Sequence, residues 1–318
     1  MKILITGSAG FIGYNLAKNL LEKKGFKIIG IDNFNDYYDV KLKKKRNILL
    51  KKYKNFSFYK LDLADKNKLK KIFKKNQIDF VFHFAAQAGV RYSIDHPRKY
   101  VESNILGFYN ILENTKEYKV KRLFYASSSS VYGENNNFPL NERENIVPKN
   151  IYGLSKKINE EIGFLFNKYY NVKLTGLRFF TIYGEWGRPD MMIMKFINCF
   201  YKKEIFKLYN FGNHVRDFTY VGDAIEIMYL LLKKHNRLKN FEIFNICSNK
   251  PVKLKDIVKF LKKNNINPKI KKINLQQADI LKTHGDNSKL LKIVKFKKFS
   301  DWKECLKKTI AWYQKNMI

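Results

Sequence analysis

Through its first 180 residues the chain alternates short apolar runs with longer amphipathic stretches. KILITG, KIIGID, FSFYKLD, DFVFHFAA, RLFYASS and KLTGLRFF have strand length, and residues 11–24, 65–76, 97–117 and 150–170 between them repeat apolar positions at helical spacing. Strand, helix, strand repetition predicts parallel pairing through right-handed crossovers, hence an α/β fold with a doubly wound parallel sheet. Past residue 180 the alternation fails. YGEWGRPDMM is loop-like, 192–203 reads as a helix, HVRDFTYVGD as an extended piece entering a helix near 222–236, and FEIFNIC as a strand rejoining the sheet. The expected division is 1–180 with 215–248 returning to it, and a smaller C-terminal domain, a lid built from 181–214 and 249–318. No internal repeat or low-complexity linker interrupts this pattern.

With 45% hydrophobic and 15% aromatic residues, 318 residues can bury an ordinary core, which excludes a disordered chain. No apolar run approaches the roughly 18–20 residues of a membrane span, and MKILITGSAG enters a strand and a glycine turn with no secretory cleavage pattern, so a cytoplasmic protein is expected. Cys199, Cys247 and Cys305 lie far apart without ligand spacing to the histidines, which points to reduced thiols and no metal. The net charge of +35 raises the question of nucleic acid. Only nine of the 63 basic residues are arginines, and the lysines are spread over most of the chain. Dedicated readers cluster arginine among aromatics. The charge therefore reads as a solvated, compositionally biased surface with no specific nucleic-acid partner.

The first strand runs into TGSAGFIG, with Gly7, Gly10 and Gly13 spaced GxxGxxG where a helix begins. Asp32 closes the second strand 19 residues beyond Gly13. Strand before, helix after and an acid at that distance make a dinucleotide fingerprint of the Rossmann type. The glycines let a pyrophosphate approach the helix N-terminus, and an acid on the ribose hydroxyls favours NAD over NADP. Phe11 and Ile12 belong to the same turn and Asn33 follows the acid. Asp62 and Leu63 in KLDLAD and Phe84, Ala85 and Ala86 in HFAAQAG sit at further carboxyl ends of strands, where such sheets bind ligands. Asn104, on the helix that follows, is a candidate for ribose or nearby backbone.

IYGLSKK places Tyr152 and Lys156 four apart, on one helical face, after the strand that ends in four serines, YASSSSVYG. A free phenol, with a pKa of about 10, is a poor base at neutral pH, whereas an adjacent ammonium and a positive nicotinamide both favour phenolate. Such a pair can accept a hydroxyl proton.

These residues resemble the extended short-chain dehydrogenase/reductase family, and within it the nucleotide-sugar 4-epimerases, above all those acting on UDP-glucuronate. GIDNFNDYYDVKLK, AAQAGVRYSIDHP, YASSSSVYG, LRFFTIYGEWGRPDMM and RDFTYVGD carry the resemblance, which covers nearly the whole chain. It implies that Tyr152 takes the proton of the sugar 4-hydroxyl while hydride passes to NAD, that the 4-keto sugar rotates, and that hydride returns on the other face. Lys156 then orients the nicotinamide ribose, and Ser128 bonds the reacting oxygen. Related dTDP-glucose 4,6-dehydratases carry an Asp-Glu pair, and UDP-glucuronate decarboxylases a Glu at the second place, where this chain has Ser129 and Ser130. Two hydroxyls permit oxidation and return without elimination.

A 4-keto uronate loses carbon dioxide when its carboxylate bond stands perpendicular to the ketone plane, so donors that hold the carboxylate near that plane protect it. The resemblance assigns this to Thr181 and Arg188, with the serines assisting and Arg91 a second candidate. It gives the UDP diphosphate to Arg216 and the ribose to Asp279. The chain departs from the family pattern at Glu185, where proline is expected, and at Gln277-Ala278, where Pro-Gly is. Epimerisation of a neutral or N-acetylated UDP-hexose is the alternative, with decarboxylation of UDP-glucuronate behind it. Helices 97–117 and 150–170 resemble the family's dimer-forming pair, which implies a homodimer.

Overall fold

The computed structural model describes residues 1–276 and 279–317, so the Gln277-Ala278 departure lies outside the described residues. The described residues form twelve strands: β1 (Lys2–Thr6), β2 (Lys27–Asp32), β3 (Phe56–Lys60), β4 (Phe80–His83), β5 (Arg122–Ser128), β6 (Leu174–Phe179), β7 (Thr181–Tyr183), β8 (Phe206–Tyr209), β9 (Val215–Tyr220), β10 (Phe241–Ile246), β11 (Pro251–Lys253) and β12 (Ile270–Ile273). Seven make one parallel sheet in the order β10-β6-β5-β4-β1-β2-β3. The doubly wound sheet expected from the apolar pattern is therefore present, and the order reverses between β1 and β4, where such sheets open a crevice.

Period-two alternation sends neighbouring side chains to opposite faces. Ile3 and Ile5 enter one core while Leu4 enters the other; Phe80 and Phe82 separate in the same way from Val81, and Phe124 from Leu123 and Tyr125. Helices cover both faces, so the strands are apolar almost throughout. Helix Val221–Lys233 lies on the Ile3 side, with Ala224, Ile225 and Met228 in that core.

The remaining strands build the smaller part. β9 pairs in parallel with β7 and antiparallel with β11, and β8 pairs with β12. Residues 215–220 thus extend a small sheet, while β10 rejoins the large one beside β6. A third core, around Phe196, Ile197, Leu261 and Leu306, fills this part. The helical stretch near 97–117 is not one α-helix: Pro97–Tyr100 and Gly107–Glu117 flank a π-wound segment, Val101–Leu106. The three cysteines are free and buried. No helix among the described residues is long and apolar enough to cross a membrane.

Candidate active site

The first turn after β1 is shaped by what a side chain would hit. Gly7 has φ +69°, and a Cβ there would lie 2.7 Å from the Ala85 amide nitrogen, across the switch between β1 and β4. A Cβ on Gly10 would meet the Gly7 carbonyl oxygen at 3.0 Å, and one on Gly13 would overlap that oxygen. Gly10 stands at the N-cap of helix Phe11–Leu21, and no side chain caps that helix. Its first amides and the positive end of its dipole are left for an anion, as a pyrophosphate requires.

At the end of β2 the Asp32 carboxylate accepts from the Ala9 amide (3.1 Å) and the Phe34 amide (2.9 Å). Burial pushes its pKa up, against those amides and the nearby cations Lys43 and Arg46. Lys43 is a site residue that the sequence alone does not reveal. Its ammonium donates to the Asn35 carbonyl (2.7 Å) and side-chain oxygen (2.5 Å), and burial lowers its pKa to about 8 although Asp32 pulls it up. One buried lysine among so many has no distinguishing local pattern. Asp62 accepts from the Asn33 side chain at 2.8 Å, joining the ends of β2 and β3.

One cavity of about 390 Å³ gathers these groups with the proton-transfer candidates. Its walls carry the three glycines with Phe11 and Ile12, the strand-end residues Asp32, Asn33, Asp62, Leu63, Phe84, Ala85 and Ala86, and then Ser128, Ser129, Ser130, Tyr152, Lys156, Thr181 and Arg188. Asn104 is not among them. It is fully buried, accepts from the Gln87 amide (2.7 Å), and donates to the Gln87 carbonyl (3.0 Å) and to Ser155 Oγ (2.9 Å). Of the two roles expected for it, the backbone one is what its position serves: it ties the strand-β4 loop to the Tyr152 helix.

Helix Ile151–Tyr170 starts at Asn150, whose side chain accepts from the Gly153 amide at 2.9 Å. Tyr152 therefore sits in the first turn, where the helix dipole favours negative charge. Its ring meets Tyr100 edge-on, with centroids 6.2 Å apart. Lys156, one turn on, is buried and donates to the Ala126 carbonyl at 2.9 Å. Burial lowers its pKa to about 8, with the Glu160 carboxylate pulling the other way.

The four serines divide by role. Ser127 is buried and donates to Glu160 Oε1 at 2.5 Å, and Glu160 is held in turn by Arg178 through bonds of 2.9 and 2.7 Å. Ser128 accepts from the Ser130 amide at 3.2 Å, capping a short 3₁₀ turn that presents Ser129 and Ser130 to the cavity.

A second cavity, of about 260 Å³, adjoins the first, with Phe11, Thr181, Ile182, Arg188 and Met191 common to both. It is lined by Arg91, Arg216, Asp279, His214 and Tyr209. Arg91 was expected near the serines but lies here. Its guanidinium donates to both Asp279 oxygens at 2.9 Å and lies 3.8 Å from the Tyr209 ring centroid, contacts that draw it to the second cavity. Arg216 donates to the Val215 (2.9 Å) and Leu281 (3.1 Å) carbonyls, and burial together with nearby Arg91 lowers its pKa to about 10 against Asp279. Glu185 lines neither cavity: the Tyr220 hydroxyl bonds both its oxygens, at 2.9 and 2.8 Å. Arg188 pairs with Asp190 through Nε (3.1 Å) and Nη2 (2.6 Å) while still facing both cavities.

Comparison with known proteins sets this geometry in a family. The chain is 38% identical to a UDP-glucuronate 4-epimerase of Thermodesulfobacterium geofontis over 99% of its own length and 96% of that protein's. It superposes with TM-score 0.93 and 29% identity on the UDP-glucuronic acid 4-epimerase of Bacillus cereus, solved with UDP-glucuronic acid and NAD, covering 99% of both chains. A UDP-glucose 4-epimerase of Thermotoga maritima, solved with UDP-glucose, aligns at TM-score 0.88 and 29% identity over both full chains. The model of the NAD dependent epimerase/dehydratase family matches residues 3–247, and the chain belongs to that family.

Proposed function

We propose that this protein interconverts UDP-glucuronate and UDP-galacturonate, with NAD as its cofactor. The observation that carries the reading is the shared wall: Thr181, Arg188 and the hydroxyls of Ser128, Ser129 and Ser130 line the cavity that holds Tyr152 and Lys156. Among the described residues, the acids on that wall are Asp32 and Asp62, at the ends of β2 and β3, remote in the sheet from the serine turn after β5.

The glycine turn and the uncapped helix hold the pyrophosphate, Asp32 takes the adenosine ribose, and Lys156 the nicotinamide ribose. When bound, NAD supplies reversible acceptance of hydride from carbon 4. Tyr152 takes the 4-hydroxyl proton as phenolate and later gives it back, so its charge must be held before the proton arrives and again once it is returned. Lys156 and the first turn of the helix do so. Ser128 directs the reacting oxygen toward Tyr152. Arg188 and Thr181 fix the carboxylate near the plane of the ring ketone, and Ser129 and Ser130 add hydroxyls where an acid would drive elimination. Arg216 and Asp279 receive the UDP diphosphate and ribose in the adjoining cavity.

A 4-epimerase of a neutral UDP-hexose is the second reading. Arg188 favours it in one respect: Asp190 already compensates its charge. Incubation of the NAD-loaded enzyme with UDP-glucuronate, UDP-glucose and UDP-N-acetylglucosamine, with chromatography of the products, separates the readings. UDP-galacturonate as the fastest-formed product is expected. Carbon dioxide with a UDP-pentose, or turnover of neutral sugars alone, would overturn the proposal.

The protein is further proposed to act as a homodimer. Val101, Leu106 and Tyr109 on one helical stretch, and Leu154, Phe164, Leu165 and Tyr169 on helix Ile151–Tyr170, are exposed apolar side chains. Two such helices from each copy would bury them in a four-helix bundle.

A further inference from the structure

We propose that Tyr37 and Asp190 form a latch that positions Arg188, so that the loop lining the cofactor cavity also sets the grip on the sugar's charged group. The inference rests on the reading of Arg188 as the carboxylate's partner and assigns two positioning residues to it.

Arg188 has five N–H donors, and Asp190 takes two of them, from Nε and Nη2. Three remain for a ligand. The Asp190 carboxylate is itself held by the Tyr37 hydroxyl at 3.1 Å. The Arg188 guanidinium stands 5.8 Å from the Tyr37 ring centroid, so one tyrosine meets both members of the pair, by its edge hydroxyl and by its face. The Arg188 and Asp190 side chains are 23% and 31% exposed, which places the pair at the rim of the cleft and not on open surface. Burial raises the pKa of the Asp190 carboxyl, but Arg188 and the Tyr37 hydroxyl outweigh it and keep the group ionised.

Tyr37 comes from the loop after β2, and its position is enforced from a third segment. Gly89 has φ +101°, and a Cβ on it would overlap the Tyr37 hydroxyl. The Gly89 loop is pinned by Tyr100, whose hydroxyl bonds the Ala88 (2.8 Å) and Gly89 (2.5 Å) carbonyls. The Tyr92 ring packs against Tyr37 at a tilt of 57°, with centroids 4.9 Å apart. Tyr37, Gly89 and Arg188 all line the cofactor cavity. A free arginine samples many rotamers, and fixing one on binding costs conformational entropy. The latch meets that cost before the sugar arrives, and it does so for a ligand that engages Arg188 only.

The test compares Tyr37→Phe and Asp190→Asn with the unaltered NAD-loaded enzyme. KM and kcat are measured on UDP-glucuronate and UDP-glucose, the same two nucleotide sugars are titrated by calorimetry, and carbon dioxide released per turnover is counted. Tyr37→Phe, losing one hydrogen bond, should weaken UDP-glucuronate by about 3- to 10-fold. Asp190→Asn should weaken it by about 10-fold or more and raise the carbon dioxide count, with UDP-glucose changed less than about 2-fold in both variants. Gly89→Ala should reproduce the selectivity loss without altering either latch residue. Equal losses on the two sugars, no loss on either, or tighter UDP-glucuronate binding by Asp190→Asn would each overturn the latch. If the unaltered enzyme binds UDP-glucuronate without epimerising it, the proposed function fails, and the calorimetric difference between the sugars still decides the latch.

Discussion

Replacing Glu160 by glutamine removes the charge that compensates a buried guanidinium. The Glu160 and Arg178 side chains are each 4% exposed, and Arg178 reaches both carboxylate oxygens. Arg178 retains its bond to the Glu142 carbonyl (3.3 Å) and its place 4.8 Å from the Tyr132 ring centroid. Breaking one side of a buried pair costs about 3–5 kcal/mol. Because a carbonyl and an aromatic face remain, and glutamine keeps one acceptor, the low end of about 3 kcal/mol is expected. At roughly 2–4 °C per kcal/mol for a domain of this class, Tm should fall by about 6–12 °C in calorimetry at pH 7. Glu160→Gln combined with Arg178→Met removes both charges and should recover at least half of the loss. Glu160 also pulls the Lys156 pKa upward from one turn away, so without it the pKa falls below its value of about 8. The alkaline limb of kcat, set by discharge of Lys156, then moves to lower pH in Glu160→Gln. A single variant within about 2 °C of the parent, or an unmoved limb, would refute the assignment of that carboxylate.

The unaltered enzyme should lose kcat above about pH 8, approaching tenfold per pH unit, as buried Lys156 discharges; a flat profile from pH 8 to 10 would contradict this. Stability carries the opposite sign. With a folded pKa of about 8 below the unfolded value, the unfolded chain binds more protons between them, so the Lys156 contribution to stability should rise from pH 8 to 10, read as the urea midpoint against that of Lys156→Met. Gly13→Ala sets a Cβ against the Gly7 carbonyl and should purify without dinucleotide; full NAD stoichiometry by absorbance would contradict the cradle. Tyr152→Phe should cut kcat by about 10²–10⁴ while leaving the UDP-sugar Kd within about twofold, and a loss in Kd alone would remove its proton-transfer role. Leu165→Glu, at an exposed position of the helix Ile151–Tyr170, should convert a dimer to a monomer by light scattering, and an unaltered mass would place the contact elsewhere.

The large sheet was legible because its signals are local and repeated. Each strand is a continuous apolar run, each crossover helix has its own amphipathic period, and Gly7 with Asp32 marks the one crevice that parallel topology allows. The smaller part was less legible, since β7 and β11 have three residues each and their pairing with β9 joins segments far apart in the chain. Motif spacing found the residues that touch the cavity through strand ends. It named Arg91 but not its place, since the partners Asp279 and Tyr209 are more than a hundred residues away, and it gave no warning of Lys43, one of many lysines in a basic helix. Asn104 could be read from sequence toward ribose or nearby backbone, and only the fold, which spends its side chain on Gln87, chooses between them.

Glu160 and Asp190 show how the same ion-pair chemistry serves two ends of one reaction. Under β5 the Glu160–Arg178 pair is sealed from water and fixes Ser127, and with it the start of the serine turn. At the rim the Arg188–Asp190 pair stays partly wet, so a ligand can displace water and share the arginine without breaking the pair. A sealed pair resists exchange because either partner alone would be left buried and charged. A rim pair exchanges at little cost, since solvent screens what is exposed. In the proposed reaction the floor of the site holds hydroxyls still while a proton moves, and the rim accepts and releases the sugar's carboxylate at every turnover. Burial, more than residue type, separates the two tasks, which is why an arginine beside an acid in the sequence could not say which of them it performs.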